Sequence, residues 1–205
     1  MMSVIRKVCR FAAESTLRSE QSTTVGSIQV SSMREDNGRF GHIVRDALDW
    51  ILRVSPSRYG RAQKHLRWVC CRSLPLGKWS GEYDAGLHMC SIDFEPFGDD
   101  HLDRAFVSLT IVHEATHAWL LDLGVPYDVE SRLRVESICH REERLLASKL
   151  TSIVPVLPEW LTGWDVNTES LGDAWRMSRW QSLSATYRRI REHSKAEHLL
   201  NPDGQ

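Results

Sequence analysis

His113, Glu114 and His117 are the residues of this chain best placed to do chemistry together, because they stand as His113-Glu114-Ala115-Thr116-His117 within an apolar run. Four residues apart on an α-helix, the two histidines lie one turn above each other on one face. Two imidazoles so placed can bind one zinc ion from one side. Glu114 projects beside such an ion rather than onto it, where it could take a proton from a water. After His117 the chain runs eighteen residues and then reaches Glu136. Between them Gly124 follows the last apolar residue of the first helix, Pro126 forbids its continuation, and Asp128 can cap a new one. The predicted helix, turn and helix return Glu136 to the level of the histidines. His-His-Glu is one of the usual catalytic zinc sets, with a fourth position left open. Glu143, Glu142, Asp128 and Asp165 are the other carboxylates that could supply the third ligand, ranked behind Glu136.

The motif sits in a helix that is apolar nearly all round. Phe106, Val107, Leu109, Ile111 and Val112 precede it, and Trp119, Leu120 and Leu121 follow. Such a helix is buried. Buried imidazoles and carboxylates need partners, and a metal or a hydrogen-bonded network would serve. For Glu136 the competing reading is an acid paired with Arg132 one turn back. Glu114-Ala115-Thr116-His117 is also the E-x-x-H of di-iron carboxylate bundles. The next helix, however, offers Glu136 and His140 at a spacing of four rather than three.

Over about residues 102–145 the pattern resembles the gluzincin metallopeptidases, in which H-E-x-x-H is followed by a ligand Glu on the next helix. The eighteen-residue gap is similar to that of the aminopeptidase branch and one short of the thermolysin pattern. Where thermolysin-like enzymes carry an Asp four residues after the ligand Glu, this chain has His140. Leu120 and Leu123 replace the Gly and third His of the metzincin continuation, and no aspzincin-type Gly-Thr-x-x-Asp follows. The resemblance implies a zinc-dependent metallohydrolase acting on a peptide or protein, with Glu114 as general base. It also implies an edge strand beside the cleft, which we assign to Leu87-His88-Met89-Cys90-Ser91-Ile92. A donor for the tetrahedral oxyanion is further required, and Tyr127, His140, Tyr187 and His193 are the candidates. A zincin-like protein that binds metal or a partner without turnover is the alternative.

The elements that must hold these residues can be read from apolar periodicity. Helical spacing runs from His42 to Arg53 through Ile43, Val44, Ala47, Leu48, Ile51 and Leu52, and Ser55-Pro56-Ser57 ends it in a polar turn through Gly60. His65 to Leu74 and Ala85 to Phe94 read as strands. The motif helix is expected over about residues 102–123 and the next over 130–151. A short apolar element follows at Trp160 to Trp164, then a long helix from Gly172 to His198. The expected class is α+β, a zincin-like single domain over residues 39–205: a small sheet packed against the motif helix and the ligand-bearing helix, with a long C-terminal helix. Residues 1–38, rich in Ser, Thr and Arg, read as a flexible arm in which residues 25–30 could add an edge strand.

Composition bounds the rest. With 205 residues and a net charge of -1, acids and bases interspersed, no basic face advertises nucleic acid. No apolar run long enough to span a membrane exists, and the start of the chain lacks the apolar core of a signal peptide. Cys9, Cys70, Cys71, Cys90 and Cys139 are odd in number and without C-x-x-C spacing, which points to reduced thiols and a cytoplasmic location. Eight tryptophans read as core packing, Trp160, Trp164, Trp175 and Trp180 among them. Oligomeric state has no signature in the sequence.

Overall fold

The computed structural model of the chain describes residues 22–34, 38–72, 74, 80–128, 130–154 and 157. Strands β1 (Thr23–Val25) and β2 (Ile28–Ser32) come first, then helices α1 (Arg39–Val54) and α2 (Pro56–His65). Strands β3 (Trp68–Cys71), β4 (Ser80–Asp84) and β5 (Met89–Asp93) follow, and helices α3 (Asp100–Asp122) and α4 (Arg132–Leu150) complete the order. The five strands form one sheet in the order β1-β2-β3-β5-β4. Its centre is parallel, with Val30 level with Val69 and Val69 level with Cys90. The outer strands β1 and β4 run antiparallel to their neighbours. This is an α+β, zincin-like fold.

Alternation along the strands gives the sheet two different faces. Ile28, Val30, Val69, Cys71, Cys90 and Ile92 share one core with α1 and α3. Trp68, Cys70 and Met89 point the other way, into a smaller cluster with Leu87. Helix α1 buries Phe40, Ile43, Val44, Ala47, Leu48 and Ile51 on a single stripe, and Leu52 falls outside it, 43 % exposed. Helix α3 is buried all round through its middle, from Ala105 to Val112. Leu109 and Ile111 are fully buried, each such side chain contributing about 1.5–3 kcal/mol by leaving water.

Both ends of α3 are fixed by local chemistry. At its start the Asp99 carboxylate accepts from the backbone N–H groups of His101 at 2.7 Å and Leu102 at 3.2 Å, satisfying donors that have no partner within the helix. At its end Gly124 adopts φ 78°, a left-handed conformation that costs glycine little. Its N–H donates to Leu121 and that of Val125 to Leu120, at 2.9 and 3.0 Å, while Val125 packs on Leu120. These are the paired bonds and apolar contact of a Schellman stop. Asp128 then accepts from the N–H groups of Glu130 and Ser131 and starts the turn into α4.

The sequence reading needs correcting at three places. Pro56 opens a helix rather than ending one. At the first helical position its missing N–H is no loss, so Pro56–His65 forms α2 with Gly60 inside it. Residues 85–88 form a turn whose N–H groups bond back to Asp84, so the second expected strand begins only at Met89. The strand ahead of that turn, β4, was not foreseen, and it takes the edge position assigned to Leu87–Ile92. β5 lies inside the sheet, between β3 and β4. The hairpin of β1 and β2 also extends the sheet back into the segment read as an arm. The expected C-terminal helix lies outside the described residues, as do Tyr187, His193, Asp165, Cys9 and the tryptophans from Trp160 onward.

Candidate metal centre

Helix α3 packs on α4 and brings His113, His117 and Glu136 together. His113 Nε2 lies 3.2 Å from His117 Nε2. Glu136 spans the pair, Oε2 being 3.3 Å from His113 Nε2 and Oε1 3.5 Å from His117 Nε2. Around a tetrahedral ion with bonds of about 2.0–2.1 Å, neighbouring donors are separated by about 3.3 Å. Each pair of the three side chains stands near that spacing, the carboxylate through a different oxygen to each histidine.

The donor chemistry is compatible with a cation at their centre. Glu143 Oε2 lies 3.2 Å from His113 Nδ1 and 2.9 Å from His140 Nδ1. Burial works against the charge of Glu143, but hydrogen bonds from these histidines outweigh it and hold its pKa below the usual carboxylate range. An ionised carboxylate only accepts, so both Nδ1 atoms donate to it. Neutral His113 then turns an Nε2 lone pair towards His117 and Glu136, and three electron-rich groups converge. A zinc ion fits that set. A proton competes for the same place: burial opposes a charge on His113, yet Glu136 and Glu143 raise its pKa well above the ordinary value. Glu136 is likewise desolvated, and the two histidines still drive its pKa far down.

The remaining candidates are distributed around this centre. Tyr127, on the turn before α4, donates its hydroxyl to Glu136 Oε1 and sets its ring edge-on to His117, with centroids 5.2 Å apart. His140 packs edge-on against His113 at 4.7 Å. Glu143, seven residues beyond Glu136, stands against His113 Nδ1, the nitrogen turned away from His117 and Glu136. Glu142 is held by Arg58 and Arg61, and Asp128 by the turn. Cys139, fully buried, brings its thiol within 4.8 Å of donor atoms of His113 and His117, and His140 stands similarly to His113 and Glu136. Cys139 is the residue that sequence reasoning missed. Its signal was the spacing 136, 139, 140, 143, which is one face of a helix. Cys70, Cys71, Cys90 and Cys139 are all free thiols.

Glu114 stands apart from the ligands, on the side of the sheet. It is 5 % exposed, and burial raises its pKa against the lowering effect of both histidines. Its neighbour is the edge strand. A Cβ built on Gly81 of β4 would lie 2.6 Å from Glu114 Oε1, so only a glycine lets the strand come this close. The ligands thus come from two helices, while the candidate base faces β4.

The arrangement matches a gluzincin-like H-E-x-x-H architecture and is compatible with zinc coordination. No family model, no curated protein and no solved structure matches the chain. Among the described residues no helix is long and apolar enough to cross a membrane.

Proposed function

We propose that the chain is a zinc-dependent hydrolase of peptide or related amide bonds. His113, His117 and Glu136 hold the ion, and Glu114 moves the proton. Zinc bound there supplies an acidified water and a Lewis acid for the carbonyl. Glu114 takes the proton of the attacking water and hands it to the leaving nitrogen. Its burial, away from bulk water, keeps that carboxylate basic. Glu143 holds His113 in the tautomer that offers Nε2. The outer edge of β4 offers a backbone against which an extended substrate can pair, next to the base. The observation that carries this reading is the placement of a buried carboxylate between a three-donor metal set and a sheet edge.

The test starts with protein purified without an affinity metal column. We expect about one zinc per chain, lost in His117→Ala and weakened in Glu136→Ala. Peptide mixtures, read by mass spectrometry, should then show cleavage that drops about 10²–10⁴-fold in Glu114→Gln with zinc retained. Equal cleavage by Glu114→Gln would refute the assignment of the base. Stoichiometric zinc with no cleavage of any peptide would favour the second reading, a zincin-like fold that binds metal without turnover. Two irons per chain would favour a carboxylate di-iron site, although β4 here closes a side where such bundles place a helix.

A further inference from the structure

Beside the metal centre lies a buried cluster that the chemistry above does not use. Arg58 and Arg61, one turn apart on α2, both reach Glu142 Oε2 on α4, at 3.1 Å each. The same Arg61 nitrogen, Nη1, donates to Thr116 Oγ1 on α3 at 3.1 Å, and the guanidinium lies 4.3 Å over the Trp119 ring. Thr116 passes its own hydroxyl proton to Val112 O at 2.7 Å, leaving its oxygen free to accept from Arg61. A single side chain of α2 therefore ties α3 to α4. The tied residues are chain neighbours of the centre: Thr116 precedes His117, and Glu142 precedes Glu143.

Stability alone gives poor reason for this cluster. Two guanidinium groups, Arg58 buried and Arg61 partly exposed, share one carboxylate oxygen, with the exposed Arg141 4.0 Å from the other, and Arg58 Nε is buried without a hydrogen-bond partner. Buried ion pairs often do no better than apolar packing, and an unbalanced cation does worse. Removing Arg61 leaves Arg58 and Glu142 as a balanced pair, so its deletion should cost the fold little. What its deletion removes is the link between the helices. The ligand set spans that same joint, since two donors belong to α3 and one to α4.

We propose that Arg61 is a positioning residue of the metal centre, fixing the α3–α4 spacing at which His113, His117 and Glu136 can share one ion. The proposal rests on the zinc-site reading above. Arg61 touches neither ion nor substrate; it acts through Thr116 and Glu142.

The test is the zinc dissociation constant, read by competition with a chromophoric chelator, beside the melting temperature of the zinc-free protein. Arg61→Met should weaken zinc about tenfold, the lower end of what loss of groups supporting metal ligands produces. The zinc-free melting temperature should hardly change. Arg61→Lys should recover part of the affinity, because one nitrogen serves both acceptors. Thr116→Val, which removes the α3 acceptor and keeps the side chain's shape, should weaken zinc as well, and it decides the matter if Arg61→Met does not fold. Zinc affinity within twofold of the unmodified protein in the folded variants would overturn the proposal and leave the metal centre standing. So would a melting temperature that falls while the dissociation constant stays put. If the unmodified protein binds no zinc, the site reading fails, and the proposal fails with it.

Discussion

Replacing Gly81 by alanine places a methyl group where β4 meets α3, and the consequence can be worked out from the contacts. The new Cβ would lie 2.6 Å from Thr110 Cγ2 and 2.6 Å from Glu114 Oε1. Carbon atoms in contact prefer about 3.5–4.0 Å, so the overlap with Thr110 is about 1 Å. Thr110 cannot easily turn away. Its χ1 is stiff in a helix, and its hydroxyl bonds Phe106 O at 2.9 Å. Either β4 shifts outward or the Glu114 carboxylate is pushed aside. Overpacking of this size costs about 1–3 kcal/mol, and each kcal/mol lowers the melting temperature of a chain this long by about 2–4 °C. Glu114 moves while the ligands stay, so zinc affinity should remain within about twofold while turnover falls by about 10²-fold, the usual penalty for a misplaced catalytic group. Calorimetry, chelator competition and peptide cleavage measure the three quantities on one preparation. Adding Thr110→Ser, which deletes Cγ2, should return part of the stability and little of the turnover. A Gly81→Ala protein with unchanged melting temperature and unchanged cleavage would refute the close approach of strand and base.

Two further outcomes follow from the same geometry. Glu143→Gln removes the charge that orients His113 and should weaken zinc about 10–100-fold with the fold intact, measurable by chelator competition; unaltered affinity would mean that Glu143 is idle. The second concerns pH. In the zinc-free protein the raised pKa of His113 adds stability below its ordinary value of 6.5, and that stability is lost as pH rises through the folded value. The lowered pKa of Glu136 adds stability above 4.5, lost only as pH falls. Zinc binding has the opposite trend to His113, since its ligands must be deprotonated. The rise in melting temperature on adding zinc should therefore be larger at about pH 8 than at about pH 6, and a gap independent of pH would contradict the shared site.

The meeting of His113, His117 and Glu136 was largely legible in the sequence because helices announce themselves locally. Four-residue spacing, an apolar surround, and Gly124, Pro126 and Asp128 between two periodic segments sufficed to bring Glu136 to the histidines. The role of Glu143 was not legible. Counting from Glu136 puts it on the same face, but only the packing of α4 on α3 decides that it meets Nδ1 and not the ion. Pairing across the sheet was also hidden. Gly81 reads as a break, yet it is the residue that lets β4 approach α3. With Glu82 and Asp84 in the same five residues, β4 carries little of the alternation that marks a strand. Pro56 misled for a related reason: its effect depends on whether a helix has just ended or is about to begin, and after Ser55 both are true.

His113, His117, Glu136, Glu143 and Glu114 itself all come from the single helical hairpin of α3 and α4, whereas Gly81, the close neighbour of Glu114, comes from the sheet. On the proposed reading the hairpin thus carries both the ion and the proton, and the sheet limits where the Glu114 carboxylate can lie. On that reading a change confined to β4 can reach Glu114 and leave His113, His117 and Glu136 untouched.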